Sequence, residues 1–149
     1  MCIRDSADTT PRTYAQRKAW VESHHDPYAV FVTTVPATDA ATEGGERIIG
    51  FSALSVFYDR AGYDGVTDLA YYIAPEWQGR GAGTFTLAKL LDECRNRHMR
   101  KACGIIFADN RGSIALMKHF GFTQFGLMPQ AATDSTGTMR DMSYWHLDL

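Results

Sequence analysis

Two rhythms of apolar residues alternate along this chain: short β-branched or aromatic runs between turn residues, and longer stretches with helical spacing. Residues 29–35 and 47–57 are runs of the first kind, the second weakened at Gly50. Between them, residues 36–46 are polar and close on Gly44-Gly45, a hairpin turn longer than the tight types. After a glycine-containing loop at 58–66, residues 67–74 form the next strand, stopped by Pro75. Residues 103–108 are almost unbroken apolar, as expected of a strand covered on both faces. Residues 122–128 and 139–147 read as two final strands, with the polar, turn-rich residues 129–138 between them.

The helical segments are three. Residues 13–24 follow Pro11 and carry Tyr14, Trp20 and Val21 among charges; Asp26-Pro27 ends the helix, because proline disfavours helix in the residue before it. From Thr84 to about Arg97, Leu87, Leu90, Leu91 and Cys94 form an i, i+3, i+4, i+7 stripe facing a core. Residues 113–120 make a short helix, ended by Gly121 where a left-handed cap is favoured. The order αββ(β)αβαββ describes a mixed α/β sheet rather than strict βαβ repetition.

Composition narrows the class. At 149 residues, 45% hydrophobic and 21% charged, the chain reads as one soluble domain, of a size that buries ~70% of its unfolded surface. A net charge of −2 gives no support for nucleic-acid or anionic-membrane partners. No apolar stretch reaches the ~18 residues of a membrane span, and no signal peptide is visible. The cysteines are Cys2, Cys94 and Cys103; no close-spaced Cys/His set accompanies them, which argues for a reducing compartment and against a metal site. His24, His25 and His98 lie in polar stretches and read as solvated, and neither His119 nor His146 has a partner at metal-ligand spacing. There are no internal repeats. The first six residues, Met-Cys-Ile-Arg-Asp-Ser, are spelled as the in-frame translation of a common sequencing adapter, so residues 7–149 are expected to be the protein.

The stretch Gln78-Gly79-Arg80-Gly81-Ala82-Gly83 lies between the strand at 68–73 and the helix opening at Thr84. Alternate glycines leave backbone N–H groups uncovered where a helix begins, and the positive end of its dipole stands behind them; such a turn suits a pyrophosphate. A P-loop would need Lys-Ser/Thr after its last glycine. A dinucleotide fingerprint would need glycine at 84 or 86, and both are Thr. Taken alone, a glycine-rich turn of this kind is more often a tight connection than a ligand cradle.

A second segment decides between these. Asp109-Asn110-Arg111-Gly112-Ser113, then Leu116, Phe120, Gly121 and Phe122, follows the glycine turn as Asn-x-x-Ser-x-x-Leu-x-x-x-x-Gly-Phe. Together the two motifs resemble those of the GNAT superfamily of N-acetyltransferases. Phe57-Tyr58 with Tyr63, Tyr72-Ile73-Ala74-Pro75-Glu76, and Met139-Arg140-Asp141-Met142 are similar to the phosphinothricin-acetyltransferase-like branch, from about Thr13 to the C-terminus.

The resemblance implies an α/β fold with a mixed, mostly antiparallel sheet flanked by helices. It also implies a first strand and helix ahead of the segment seen here, so residues 7–149 are expected to be a single, N-terminally incomplete domain. It implies acetyl-CoA as co-substrate without a metal, a small-molecule amine acceptor, a cytoplasmic location and a homodimer. Backbone amides of Gln78, Gly79, Arg80, Gly81, Ala82, Gly83 and Thr84 would hold the pyrophosphate, with Arg80 either adding charge or solvated. Tyr72 and Ile73 would flank the pantetheine arm, Ile73 N–H serving the oxyanion; Tyr71 and Tyr72 point to opposite faces, so one belongs to the core. Asn110 and Ser113 would meet the cofactor, or are simply a turn Asn and a helix N-terminal Ser. Phe57, Tyr58 and Tyr63 would close the acceptor pocket.

Asp68 stands where the branch carries a glutamate read as general base. It is that base, a group that orients the substrate ammonium, or a residue that merely ends a loop, and as a base it needs its pKa raised by burial or a water relay. Two departures stand out: Met117, at a position where many members place a Tyr or His able to protonate the leaving thiolate, and Thr138-Met139 in place of Arg-Trp. A non-catalytic acyl-CoA-binding module, and an enzyme acetylating a protein or aminoacyl-tRNA amine, are the competing readings.

Overall fold

The computed structural model describes residues 10–37 and 45–149. The adapter-like residues Met1 to Ser6 and the first glycine of Gly44-Gly45 lie outside the described residues.

The elements are α1 (Tyr14–Glu22), β1 (Ala29–Pro36), β2 (Glu46–Val56), β3 (Val66–Ile73), α2 (Ala82–Asn96), β4 (Lys101–Phe107), α3 (Arg111–His119), β5 (Thr123–Thr133) and β6 (Met139–Asp148), with short 3₁₀ turns at Ala61–Tyr63 and Pro75–Trp77. The helix ends are set locally. Thr13 caps α1 in a reciprocal capping box with Gln16. At the end of α3, Gly121 takes φ +80°, and Phe122 N and Gly121 N reach back to the Met117 and Lys118 carbonyls, a Schellman closure.

The strands form one six-stranded sheet in the order β1-β2-β3-β4-β6-β5, antiparallel except for β3 beside β4. On one face, Leu87, Leu90, Leu91 and Cys94 of α2 and Met117 of α3 pack against Leu54, Leu69, Ala102 and Trp145 to form the core. The Trp145 indole donates to Ser143 Oγ at 3.0 Å, so its buried N–H is satisfied. On the other face α1 lies over β2, with Trp20 edge-on to Phe51 at 6.1 Å.

Three expectations change. The strand expected at 122–128 runs on to Thr133, taking in residues read as loop: Gln130 N donates to Asp141 Oδ1 at 2.8 Å and the register resumes at Ala132–Arg140 after an irregularity. The actual turn is 134–138, organised by Asp134 Oδ1, which accepts from Thr136 N and Thr138 N. α2 begins at Ala82, two residues earlier than expected, because Gly81 itself serves as the N-cap. Finally, β4 is not covered on both faces: Ile105 is 40% exposed. Its apolar outer half faces a cleft.

Candidate active site

The register of β2 with β3 fixes which backbone groups are free. Ala74 N donates to Ile49 O at 2.8 Å, and the pairing continues without a break to Asp68 opposite Ser55. In an antiparallel ladder, hydrogen-bonded and non-bonded pairs alternate. Asp68, Ala70 and Tyr72 therefore turn their amides toward β2, while Leu69, Tyr71 and Ile73 turn theirs toward β4. Yet β4 meets this edge only at residues 66–68, opposite 101–103. Beyond Asp68 the strands diverge and a row of backbone groups faces an open wedge. The Ile73 carbonyl on that edge accepts from the Gln78 side-chain amide at 3.0 Å, tying the glycine turn to the strand and leaving Ile73 N–H as a donor into the wedge.

The glycine turn closes the wedge at one end. Gly79 and Gly81 have φ of +69° and +86°, and a Cβ on either would meet nothing within 4 Å; conformation, not crowding, calls for glycine there. Gly81 provides no side-chain cap, so the first amides of the 15-residue α2 stay open at the positive end of the helix. A Cβ at Gly83 would meet only Leu116, at an ordinary 3.7 Å. Among the described residues nothing excludes a methyl at that position.

A cleft of about 680 Å³ runs from this turn along β3. It brings together Asp68, Tyr72, Ile73, Gln78, Gly79, Gly81, Gly83, Thr84, Asn110 and Ser113, all anticipated, and adds Tyr71, Ile105 and Ile106. Arg80 and Ala82 are not on its wall; the Arg80 guanidinium sits 5.9 Å over the Trp77 ring instead. Asn110 Oδ1 accepts from Ser113 N at 3.0 Å, which makes it the N-cap of α3. Phe57, Tyr58 and Tyr63 are not on the wall either. They gather past Ser55, with Tyr63 6.0 Å from Phe57 and 5.2 Å from Tyr58. Arg100 holds this loop by donating to the Asp64 and Gly62 carbonyls at 3.0 and 3.1 Å, a contact with no local signal in the sequence.

Two buried side-chain oxygens in the described residues have no hydrogen-bond partner, Asp68 Oδ1 and Tyr71 OH. Asp68 is the last β3 residue paired with β4 and Tyr71 lies in the free stretch beyond it; three residues apart, they stand on opposite faces of the sheet where the wedge begins. Burial pushes the Asp68 carboxyl up to about 6. Burial also raises the Tyr71 phenol, with the nearby Ser113 hydroxyl drawing it partly back. Tyr71 packs against the core and lines the cleft with its hydroxyl buried; Tyr72 stacks on Phe51 at 4.9 Å on the α1 face. The two tyrosines point to opposite faces of the sheet, Tyr71 to the core and Tyr72 to α1, yet both line the cleft. Met117 is fully buried beside Gly104 and does not line it.

Residues 3–122 match the acetyltransferase (GNAT) family. The chain belongs to that family. This acetyltransferase is 31% identical to the phosphinothricin N-acetyltransferase of Streptomyces coelicolor over 80% of its own length and 67% of the relative's. It is 27% identical to an L-methionine sulfoximine/L-methionine sulfone acetyltransferase of Pseudomonas paraeruginosa, over 94% and 77%. Its structure superposes with TM-score 0.77 on a GNAT superfamily phosphinothricin acetyltransferase from Sinorhizobium meliloti in complex with acetyl-CoA, at 26% identity, covering 97% of this chain and 74% of that one.

The fold is thus the GNAT fold and the protein an acetyl-CoA-dependent N-acyltransferase. Its own residues fit that co-substrate: an open row of β3 amides for an extended arm, an uncapped helix terminus for an anion, and an unpartnered phenol between them. Among the described residues no group of three or more His, Cys, Asp or Glu side chains could hold a metal, and no helix is long and apolar enough to cross a membrane.

Proposed function

We propose that this acetyltransferase moves the acetyl group directly from acetyl-CoA to the amine of a small molecule, an amino acid, an amino-acid analogue or an amine xenobiotic such as phosphinothricin. The observation that carries the reading is the divergence of β3 from β4 immediately beyond Asp68, with the glycine turn at its far end. Bound there, acetyl-CoA supplies an activated thioester carbonyl. The amides of the Gln78–Thr84 stretch and the start of α2 hold the pyrophosphate, the β3 edge orients the arm, and Ile73 N–H stabilises the oxyanion as it develops.

Asp68 accepts the amine proton. An α-amine of pKa ~8 is about one-tenth neutral at pH 7, so deprotonation requires only ~1.4 kcal/mol and the base contributes a moderate share. With its carboxyl near 6, Asp68 is ionised at pH 7 and still a much better acceptor than an exposed aspartate. Tyr71, its proton held by burial, donates a hydrogen bond toward the sulfur end of the arm, a role Met117 cannot fill. Among the described residues no cysteine suits an acyl-enzyme route: burial pushes the Cys94 and Cys103 thiols up to about 12 and about 11, keeping both neutral. Phe57, Tyr58 and Tyr63 enclose the acceptor beyond Asp68.

Thiol release from acetyl-CoA is to be measured with L-phosphinothricin, L-methionine sulfone, L-methionine sulfoximine and free amino acids. Turnover of at least one is expected, with Asp68→Asn lowering kcat far more than acetyl-CoA affinity and the deficit shrinking as pH rises. Tight acetyl-CoA binding without thiol release on any amine would replace this reading with a binding module.

A further inference from the structure

A base that takes a proton in a closed site must return it to solvent in each cycle, and Asp68 Oδ1 has no partner through which to do so. Its cross-strand neighbour in the ladder is Ser55. Such neighbours share one face with Cβ atoms ~4.5–5.5 Å apart, within reach of a single bridging water. Ser55 Oγ lies 2.9 Å from His24 Nε2, and His24 Nδ1 lies 2.7 Å from the Trp20 carbonyl oxygen.

These two distances fix the tautomer. A backbone carbonyl only accepts, so Nδ1 carries the hydrogen that is donated to Trp20 O. In the neutral ring Nε2 is then the acceptor, and Ser55 Oγ–H must donate to it. That leaves the Ser55 lone pairs free on the Asp68 face. His24 itself is part-buried, at the solvent side of this chain of groups. Among the described residues the other groups on this face offer no equivalent path. Cys103, opposite Asp68 on β4, holds a thiol whose proton burial keeps in place, next to His146 on β6 in the same row. The Arg17 guanidinium lies over the Trp20 and Phe51 rings, 5.4 and 5.6 Å from their centroids, and cannot act as an acceptor.

We propose that Ser55 and His24 relay the proton from Asp68 to solvent. This rests on the reading of Asp68 as the base. The proton on Asp68 Oδ1 passes, directly or through one water, to Ser55 Oγ as the Ser55 hydroxyl proton moves to His24 Nε2. The carboxylate is regenerated and His24 becomes an imidazolium. It then loses the Nε2 proton to bulk water, Nδ1–H staying on Trp20 O, and the Ser55 hydroxyl returns to its starting orientation. One proton leaves per acetyl transferred.

The test uses the full chain with acetyl-CoA and L-phosphinothricin at pH 7. Ser55→Ala and His24→Gln are each expected to lower kcat about tenfold, less than the roughly 100- to 10,000-fold of a direct acid–base group because the relay only returns the proton, while the KM for acetyl-CoA moves less than about twofold. The double variant should be no slower than either single one, because the two groups act in series. Added imidazole should restore most of the rate to His24→Ala but none to Ser55→Ala. Parent-like kcat in Ser55→Ala and His24→Gln, with Asp68→Asn still slow, would overturn the relay and leave the base in place. A parent-like rate in Asp68→Asn would instead remove the base reading itself. A loss in His24→Ala that imidazole does not restore, accompanied by a lowered melting temperature, would make His24 a structural pin and also overturn the relay.

Discussion

Asp68 becomes charged in this fold against the pull of its surroundings. Its carboxyl, at 3.8 when free, is raised to about 6 by burial alone. The folded chain therefore binds that proton more tightly than the unfolded one, so stability declines as pH climbs from about 4 to about 6 and stays lower above that. The penalty at neutral pH is on the order of 2–3 kcal/mol. Asp68→Asn keeps the shape and removes the charge. It is expected to melt higher than the parent at pH 7.5 and at the same temperature near pH 3.5, as read by calorimetry without acetyl-CoA; equal melting at pH 7.5 would mean the carboxylate is well solvated in the fold. Tyr71 gives the companion case. Tyr71→Phe deletes an oxygen that has no partner in the free protein, so the free fold should lose no stability. Acetyl-CoA binding by calorimetry should weaken about 5–30-fold, the equivalent of losing one hydrogen bond of ~1–2 kcal/mol. Unchanged affinity would exclude the phenol from the cofactor arm.

Two glycines act at the level of whole elements, in opposite ways. Gly50 sits opposite Ile73, where a Cβ would come within 2.6 Å of the Tyr72 carbonyl oxygen and 2.7 Å of Ile73 Cδ1. The first is backbone and has nowhere to go without moving β2 from β3. Gly50→Ala is expected to destabilise the fold by ~1–3 kcal/mol, as overpacking does, and to lower kcat by displacing the Ile73 amide. Denaturant melts together with steady-state rates check both. Gly83, on the first turn of α2, has room for a side chain inside the protein. Gly83→Ala should leave the fold as stable or firmer by ~0.5–1 kcal/mol, from helix propensity, yet weaken acetyl-CoA binding because the new methyl stands over the open amides. A stabilised variant with full affinity would place the pyrophosphate elsewhere. Gly81 is the poorer test, since at φ +86° any side chain strains the turn itself.

For the molecule as a whole, the cleft means that β3, β4, α2 and α3 are joined more firmly when it is filled. Ligand present at about 100 times its Kd adds ~2.7 kcal/mol to stability, which for a domain of this size is a rise of about 5–11 °C in melting temperature. Scanning fluorimetry with saturating acetyl-CoA should show that shift in the parent and little of it in Gly83→Val. No shift in the parent would contradict the fit between the cleft and acetyl-CoA.

By itself the sequence determined what depends on neighbours along the chain. The Leu87, Leu90, Leu91, Cys94 stripe fixes the buried face of α2, Gly121 fixes the end of α3, and the two motifs fix the family, because backbone conformation and helical phase are local properties. It also pointed to Asp68, though only as a residue type at a position. Tertiary structure decided the rest. The free edge of β3 exists because β4 pairs with it for only three residues and then diverges, while staying paired with β6 along its whole length. The exposed apolar half of β4 has the same origin, and in the sequence it was indistinguishable from a strand buried on both faces. The sequence left open which of Tyr71 and Tyr72 belongs to the core, and the fold packs Tyr71 against it while both line the cleft. β5 outruns its expected end because Asp141, eleven residues from Gln130, supplies the hydrogen bond. His24 reads as a solvated residue until α1 lays it against Ser55, thirty-one residues away. In each case the deciding partner is distant in sequence, and burial and pairing between distant residues leave no periodic trace along the chain.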